Sequence, residues 1–247
     1  MEIGAKIHWV KSCPSTNDLA KELALSGEKE GTIVISDEQT KGKGMKGRSW
    51  YSARKKGLYL SIILRPPHSN ISLLPLVAGL AVIEAIFESV GIRVRLKWPN
   101  DLIWGKKKLG GILCESGFLG NRVNYVILGI GLNLNHGRDD FPEEICHQAT
   151  SLKLITREDI DENVVLGNLW RALNDWYDQF LQNEEEKIIC KFLENSILPL
   201  GKEITVITER GEVSGIYRGI DSQGGLILER EGERRSFFSA EIKTMKK

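Results

Sequence analysis

Gln39-Thr40-Lys41-Gly42-Lys43-Gly44-Met45-Lys46-Gly47-Arg48-Ser49-Trp50 is the stretch whose reading decides the fold. It lies between two apolar runs, residues 32–36 and 58–64, that read as buried strands. Gly42-x-Gly44-x-x-Gly47 matches a dinucleotide fingerprint, and residues 42–49 resemble a phosphate-binding P-loop with Arg48 in place of lysine. Both motifs need a helix directly after the loop, because its N-terminus holds the phosphate. Here the chain runs through Ser52-Ala53-Arg54-Lys55-Lys56-Gly57 into a strand instead, and Arg65 and Pro66 stand where a ribose-binding carboxylate belongs. The doubly wound and P-loop folds are excluded on that context. What remains is a long polar connection, residues 39–56, of the kind that is commonly functional. Three glycines and four cations fall within residues 41–48. Glycines allow close backbone approach and expose amide N–H groups, and the cations add attraction, so the segment suits a polyanion such as a nucleotide phosphate. A solvated loop has the same composition.

Strand and helix patterns alternate on either side. Residues 3–10 read as a first strand, Ser15-Thr16-Asn17-Asp18 as a helix start, and Gly27 as that helix's end. Residues 73–90 carry apolar positions at helical spacing, with Pro75 in the first turn. Strands are expected at 93–97, 109–115 and 125–133, an amphipathic helix at 158–181 and another at 184–194. From Leu198-Pro199-Leu200-Gly201 onward the pattern changes to short β segments (204–208, 213–217, 226–229, 234–238) separated by glycines. This predicts an α/β (α+β) domain over residues 1–198 and a small antiparallel barrel over 199–247. So short a module makes a thin core and is expected to pack on the main domain.

The chain has 247 residues, with 34 Lys+Arg against 33 Asp+Glu, a formal net charge of +1. Proteins that coat nucleic acid or anionic membrane carry a clear basic excess, so any basic function here must be local. The longest run without a charged or strongly polar residue is Leu73 to Ile83, eleven residues including Pro75. No membrane span is expected from it, since a span needs about 20 residues. Lys6, His8 and Lys11 interrupt the N-terminus before a signal-peptide core develops, which points to a cytoplasmic protein. Cys13, Cys114, Cys146 and Cys190 are scattered and form no ligand cluster with His8, His68, His136 or His147; no metal site is expected, and the cysteines read as reduced.

Two further segments could carry chemistry. In Lys97-Trp98-Pro99-Asn100-Asp101 the proline fixes a sharp strand exit that offers Asn100 and Asp101 at a sheet edge, ahead of a basic turn at Lys106-Lys107-Lys108. A plain turn with a solvated lysine cluster is the simpler account. In Gly129-Ile130-Gly131-Leu132-Asn133-Leu134-Asn135 the glycines inside an apolar strand suggest close approach by a ligand or another backbone, or a β-bulge.

Taken in order, Ser15-Thr16-Asn17, Gln39 with the glycine-rich stretch, Lys97 to Asp101, Lys108-x-x-Gly111, Gly129 to Asn135 and Thr150-Ser151-Leu152 resemble the biotin protein ligase family along nearly the whole chain. The resemblance implies a mixed central sheet with flanking helices in that family's biotin/lipoate ligase catalytic fold, and an SH3-like C-terminal barrel. It implies ATP with Mg2+ and biotin as substrates, a biotinyl-5′-AMP intermediate, and transfer to a lysine of a biotin carboxyl carrier domain of a carboxylase. Lys108, Asp101 and Arg48 are then the catalytic candidates. Ser15, Thr16, Asn17, Gln39, Gly42, Lys43, Gly44, Met45, Lys108, Gly111 and Gly129 would hold biotin. Lys43, Lys46, Arg48, Trp50, Asn100, Lys108 and Asn133 would hold the nucleotide. The sequence begins at the catalytic domain, without the helix-turn-helix of repressor-type members, so DNA binding is not expected; nor, with no apolar run long enough to span, is a membrane partner, and the protein would be a monomer or homodimer.

The family's loop usually has arginines where Lys43 and Met45 stand. Lysine loses the bidentate guanidinium fork and methionine loses the charge, which implies a looser hold on the adenylate. The C-terminal Ser239-Ala240-Glu241-Ile242-Lys243-Thr244-Met245 also lacks a final arginine. Three other activities remain to be weighed against the ligase. A lipoate ligase would bind lipoate and not biotin; a biotin sensor would release no pyrophosphate; an RNA-binding protein would need exposed stacking aromatics.

Overall fold

The β-branched run Thr32–Ser36 and the run Gly57–Leu64 are apolar on both faces because each lies inside a layered structure. In the computed structural model, which describes residues 2–67 and 70–245 and so leaves out His68, they form β2 (Thr32–Ser36) and β3 (Gly57–Leu64) of a seven-stranded sheet. The other strands are β1 (Lys6–Val10), β4 (Arg95–Lys97), β5 (Asp101–Trp104), β6 (Lys107–Leu119) and β7 (Arg122–Asn133), in the order β1-β2-β3-β7-β6-β5-β4. Only the β1–β2 pair is parallel, so the sheet is mixed, as expected.

Helices cover both faces. Val34 of β2, Ile63 of β3 and Tyr125 and Ile127 of β7 pack under Ala20 and Ala24 of α1 (Thr16–Leu25). The alternate residues, Ile33, Ile35, Leu60, Ile62, Leu128 and Ile130, face α2 (Leu74–Val90), α5 (Glu162–Leu181) and α6 (Glu185–Asn195) in the main core. This period-2 division places Ser61, Gly129, Gly131 and Asn133 on the α1 face of the sheet. α2 starts with Pro75 in its first turn and ends at Gly91, whose φ of 70° gives the left-handed cap. With the turn before it, residues 71–90 make a helix of 20 residues and mean hydropathy 2.0, long and apolar enough to cross a membrane. In the fold 67% of that segment is buried, chiefly against α5, so its apolar surface is already used in the core.

Two short helices, α3 (Glu143–Cys146) and α4 (Leu152–Thr156), interrupt the chain after β7. α4 explains Thr150-Ser151-Leu152: Ser151 Oγ accepts from Leu154 N at 3.1 Å and donates to the His136 carbonyl at 2.6 Å, so it both caps the helix and ties the loop after β7. The C-terminal region is a five-stranded antiparallel sheet of β8 (Glu203–Thr208), β9 (Gly211–Ile220), β10 (Leu226–Arg230), β11 (Glu233–Phe237) and β12 (Glu241–Met245). Its Ile204, Val206, Tyr217 and Leu226 join the main core rather than making one of their own. Trp98 Nε1 donates to the Gly224 carbonyl at 3.0 Å and Ser72 Oγ to that of Gln223 at 2.5 Å, fixing the module against α2. A Cβ at Gly224 would meet Ser72 O at 3.1 Å, so this close seam admits little else.

Trp98, Pro99 and Asn100 turn the chain from the edge strand β4 into β5, and Asp101 opens β5 opposite Lys97. One expectation is corrected: the basic turn is confined to Gly105 and Lys106, because Lys107 and Lys108 already pair with Trp104 and Ile103 in β6. Residues 241–245, not expected as a strand, form β12 and pair with β8.

Candidate functional site

The α1 face of the sheet carries a trough because glycine recurs there in neighbouring strands. Gly129 of β7 stands opposite Ser61 of β3 and Leu113 of β6, and Gly131 stands opposite Tyr59 and Gly111. The space is partly taken by the protein itself. A Cβ on Gly129 would lie 2.2 Å from Asn17 Oδ1, and one on Gly131 2.6 Å from Trp50 Nε1. These glycines therefore admit the first turn of α1 and the end of the glycine-rich loop onto the sheet.

The result is a cleft of about 210 Å³. Its floor is a linked polar network. Thr16 N donates to Gln39 Oε1 at 2.8 Å, Gln39 Nε2 to Ser52 Oγ at 2.8 Å, Ser61 Oγ to Asn17 Oδ1 at 2.6 Å, and Asn17 Nδ2 to Glu115 Oε2 at 2.6 Å. Ser15 is the N-cap residue of α1 yet makes no side-chain cap, so its hydroxyl stays in the cleft. Buried polar groups held in this way select a ligand that completes their hydrogen bonds, because one that does not leaves them unsatisfied.

Lys43, Arg48 and Lys108 line the cleft, and Lys108 comes from the sheet itself. Its Nζ lies 2.5 Å from Asp101 Oδ1 and 5.5 Å from the Trp50 ring centre, and its backbone is bonded on the far side to Gln148 O and Thr150 N. Asn100 is fixed by donating from Nδ2 to the Ile112 carbonyl at 2.6 Å. Asn133 donates to Thr150 O at 3.0 Å. The buried Trp50 Nε1 has no partner within the protein and lines the cleft, a donor available to a bound molecule.

The glycine-rich segment folds back on itself through Gln39–Ser52 and Lys43–Ser49 bridges. Lys43 is paired with Asp18, which holds its pKa above the usual lysine value. Arg48 reaches the other way, to Glu241 of β12 at 3.2 Å. Of the candidates named from sequence, Ser15, Thr16, Asn17, Gln39, Lys43, Gly44, Met45, Arg48, Trp50, Asn100, Lys108, Gly111, Gly129 and Asn133 line the cleft, and Asp101 touches it through Lys108. Gly42 and Lys46 do not line it. Gly42 instead lies under Trp50 O, which a Cβ would meet at 2.4 Å, and Lys46 is the exposed left-handed residue of the loop turn, with φ 56°. Sequence reasoning missed Tyr51, Phe141, Ile145, Gln148 and Ala149, which close one end. Tyr51 follows directly on the glycine-rich stretch, and the other four come from the loops and short helix after β7, where no period marks them; Thr150-Ser151-Leu152 beside them was the available signal.

Behind that end, His136 is fully buried, stacked on Phe141 at 4.7 Å between ring centres, with Nδ1 unpartnered. Burial pushes its pKa down to about 4. The unfolded imidazole titrates near 6.5, so between these values the unfolded chain binds more protons, and stability falls as pH drops from about 6.5 to about 4, by up to about 3 kcal/mol. Urea unfolding across that range is expected to show the slope in the wild type and its loss in His136→Gln. An equal slope in both would contradict it.

The cleft thus combines a polar floor with a paired lysine on one face of a mixed sheet. The family model described as the Biotin/lipoate A/B protein ligase family matches residues 9–133, and that of the Biotin protein ligase C terminal domain matches residues 200–243. The chain belongs to the biotin/lipoate A/B protein ligase family. It is 37% identical over 230 residues to the bifunctional ligase/repressor BirA of Bacillus subtilis (strain 168), covering 92% of this chain and 70% of the relative. It is 32% identical over 240 residues to a biotin–acetyl-CoA-carboxylase ligase of Mycobacterium tuberculosis, covering 92% and 86%. The structure of the Aquifex aeolicus biotin protein ligase in complex with biotin and ATP superimposes with a TM-score of 0.83 at 33% identity, covering 97% and 98% of the two chains.

Proposed function

We propose that the protein is a biotin protein ligase that activates biotin with ATP and transfers it to a lysine of a carboxylase carrier domain. The observation that carries this reading is the juxtaposition, in one cleft, of the polar floor of Thr16, Asn17 and Gln39 with the Lys108–Asp101 pair beside Trp50. In the first step a biotin carboxylate oxygen attacks the α-phosphorus of ATP, the bond to the bridging oxygen breaks, and pyrophosphate leaves. Two anions must meet for this, so a fixed cation between them lowers the barrier most. Lys108 holds that position. In the second step a neutral lysine amine attacks the biotinyl carboxyl carbon, the bond to AMP oxygen breaks, and the amine's proton passes to Asp101 or solvent.

Ser15, Thr16, Asn17 and Gln39 hold the ureido head, and Trp50 with Asn133 lies against the nucleotide. Among the described residues no group of three or more His, Cys, Asp or Glu is placed to hold a metal. A magnesium ion is suited to arrive on the nucleotide, where it neutralises phosphate charge. Incubation with biotin, MgATP and a carrier domain is expected to add one biotinyl group to the carrier by mass, and lipoate in place of biotin to add nothing. No mass gain with biotin would refute the assignment.

The loop predicts weak retention of the intermediate. Met45 lines the cleft without charge, while Lys43 is occupied by Asp18 and Arg48 by Glu241. Met45→Arg is expected to slow adenylate release about tenfold, the effect of one charge-assisted hydrogen bond. Release measured from the preformed complex tests this; an unchanged rate would remove the loop from the argument.

A further inference from the structure

A second cavity of about 240 Å³ adjoins the cleft and is lined chiefly by apolar side chains. It shares Met45, Asn100, Ile112 and Leu113 with the cleft. Its walls come from β6 and from Pro75 and Leu76 of α2, from Trp98-Pro99-Asn100, and from Phe238 of the C-terminal module. Phe238 is 51% exposed at its rim and packs over Gly225, where a Cβ would come within 3.0 Å of its ring. β5 pairs with β6 only as far as Gly111, so the next stretch of β6, with Cys114 and the exposed Ser116, borders the cavity; it is paired with β7 on one edge and, among the described residues, with no strand on the other.

Neither the polar head of biotin nor a phosphate suits these walls, which offer no fixed cation. The cavity's position points to the other substrate. The acceptor lysine must reach the carboxyl carbon beside Lys108 and Asp101, and Asn100, adjacent in sequence to Asp101, belongs to both cavities. In an extended segment consecutive Cα atoms are about 3.8 Å apart, so a chain that brings its lysine to Asn100 carries a neighbouring side chain over this opening. We propose that the second cavity is the acceptor subsite: it takes an apolar side chain next to the target lysine of the carrier domain, with Phe238 as the wall supplied by the C-terminal module. The proposal rests on the ligase reading and assigns the module a part in choosing the acceptor.

The test separates the half-reactions. Ser116→Phe fills the cavity from an exposed strand position, and Phe238→Ala removes its outer wall; neither residue belongs to the adenylation machinery. Both variants are expected to release pyrophosphate from biotin and MgATP, without acceptor, within twofold of wild type. Transfer from preformed biotinyl-adenylate to a purified carrier domain is expected to fall about tenfold through KM in each. Of two carrier variants with leucine or serine on either side of the target lysine, the serine form should be about tenfold the poorer acceptor for the wild-type enzyme and nearly equal for Ser116→Phe, the discrimination an apolar pocket provides. Wild-type transfer by both variants, an undiminished preference, or an equal fall in both half-reactions would overturn the acceptor subsite. Absence of pyrophosphate release from the wild type would instead overturn the ligase reading.

Discussion

Lys108→Met is expected to lower the rate of biotinyl-adenylate formation by about 10²–10³-fold, read as pyrophosphate release, with the fold intact. Loss of one preorganised group that stabilises developing charge has an effect of that size. Lys108 owes its position to the backbone, bonded to Gln148 O and Thr150 N through a parallel bridge to Ala149, and to the Asp101 carboxylate 2.5 Å from its Nζ. Methionine keeps the stem over Trp50 and removes only the charge. Asp101→Asn should behave differently, slowing transfer more than adenylation, because a carboxylate is needed for the acceptor amine and not for the phosphate. Undiminished pyrophosphate release in Lys108→Met would sink this assignment, as wild-type rates of both half-reactions in Asp101→Ala and in Asn133→Ala would sink theirs.

Gly129→Ala should be as damaging, for a steric reason. The new Cβ would sit 2.2 Å from Asn17 Oδ1, and Asn17 has nowhere to retreat, since Ser61 and Glu115 hold its amide and α1 holds its backbone. Either the helix lifts off the sheet or the network breaks and leaves buried polar groups unpaired, at about 2–4 kcal/mol. Biotin affinity is expected to fall with stability, because the floor of the cleft is the same network. Gly167→Ala is the control: nothing lies within 4 Å of its Cβ position, it is exposed within α5, and it should stabilise by up to about 1 kcal/mol. Equal melting temperatures for Gly129→Ala and wild type would show that the trough is looser than its contacts indicate.

Legibility in the sequence followed periodicity. β2, β3, α2 and α5 were readable because each places a long apolar pattern on one or two buried faces, and the end points moved by only a few residues. β5 and β12 were not, being short and mixed in composition; tertiary pairing to β6 and β8 makes them strands. Most of the cleft was legible for a different reason: Ser15 to Asn17, Gln39, Lys108 and Asn133 lie within compact local motifs. Tyr51, Phe141 and Gln148 lie in irregular chain, where side-chain direction has no period to reveal it.

The sequence by itself determined the alternation of buried elements, the exclusion of the helix-dependent nucleotide loops, and the residue types gathered around three glycine-containing segments. Local sterics and apolar period suffice for that. Only the tertiary structure decided what the glycines are for, that Lys108 stands beside Asp101 in the cleft, and that Lys43 and Arg48 are engaged by Asp18 and Glu241. Those outcomes depend on which strands become neighbours and in what register, and a shift of one residue would turn Gly129 and Gly131 to the opposite face.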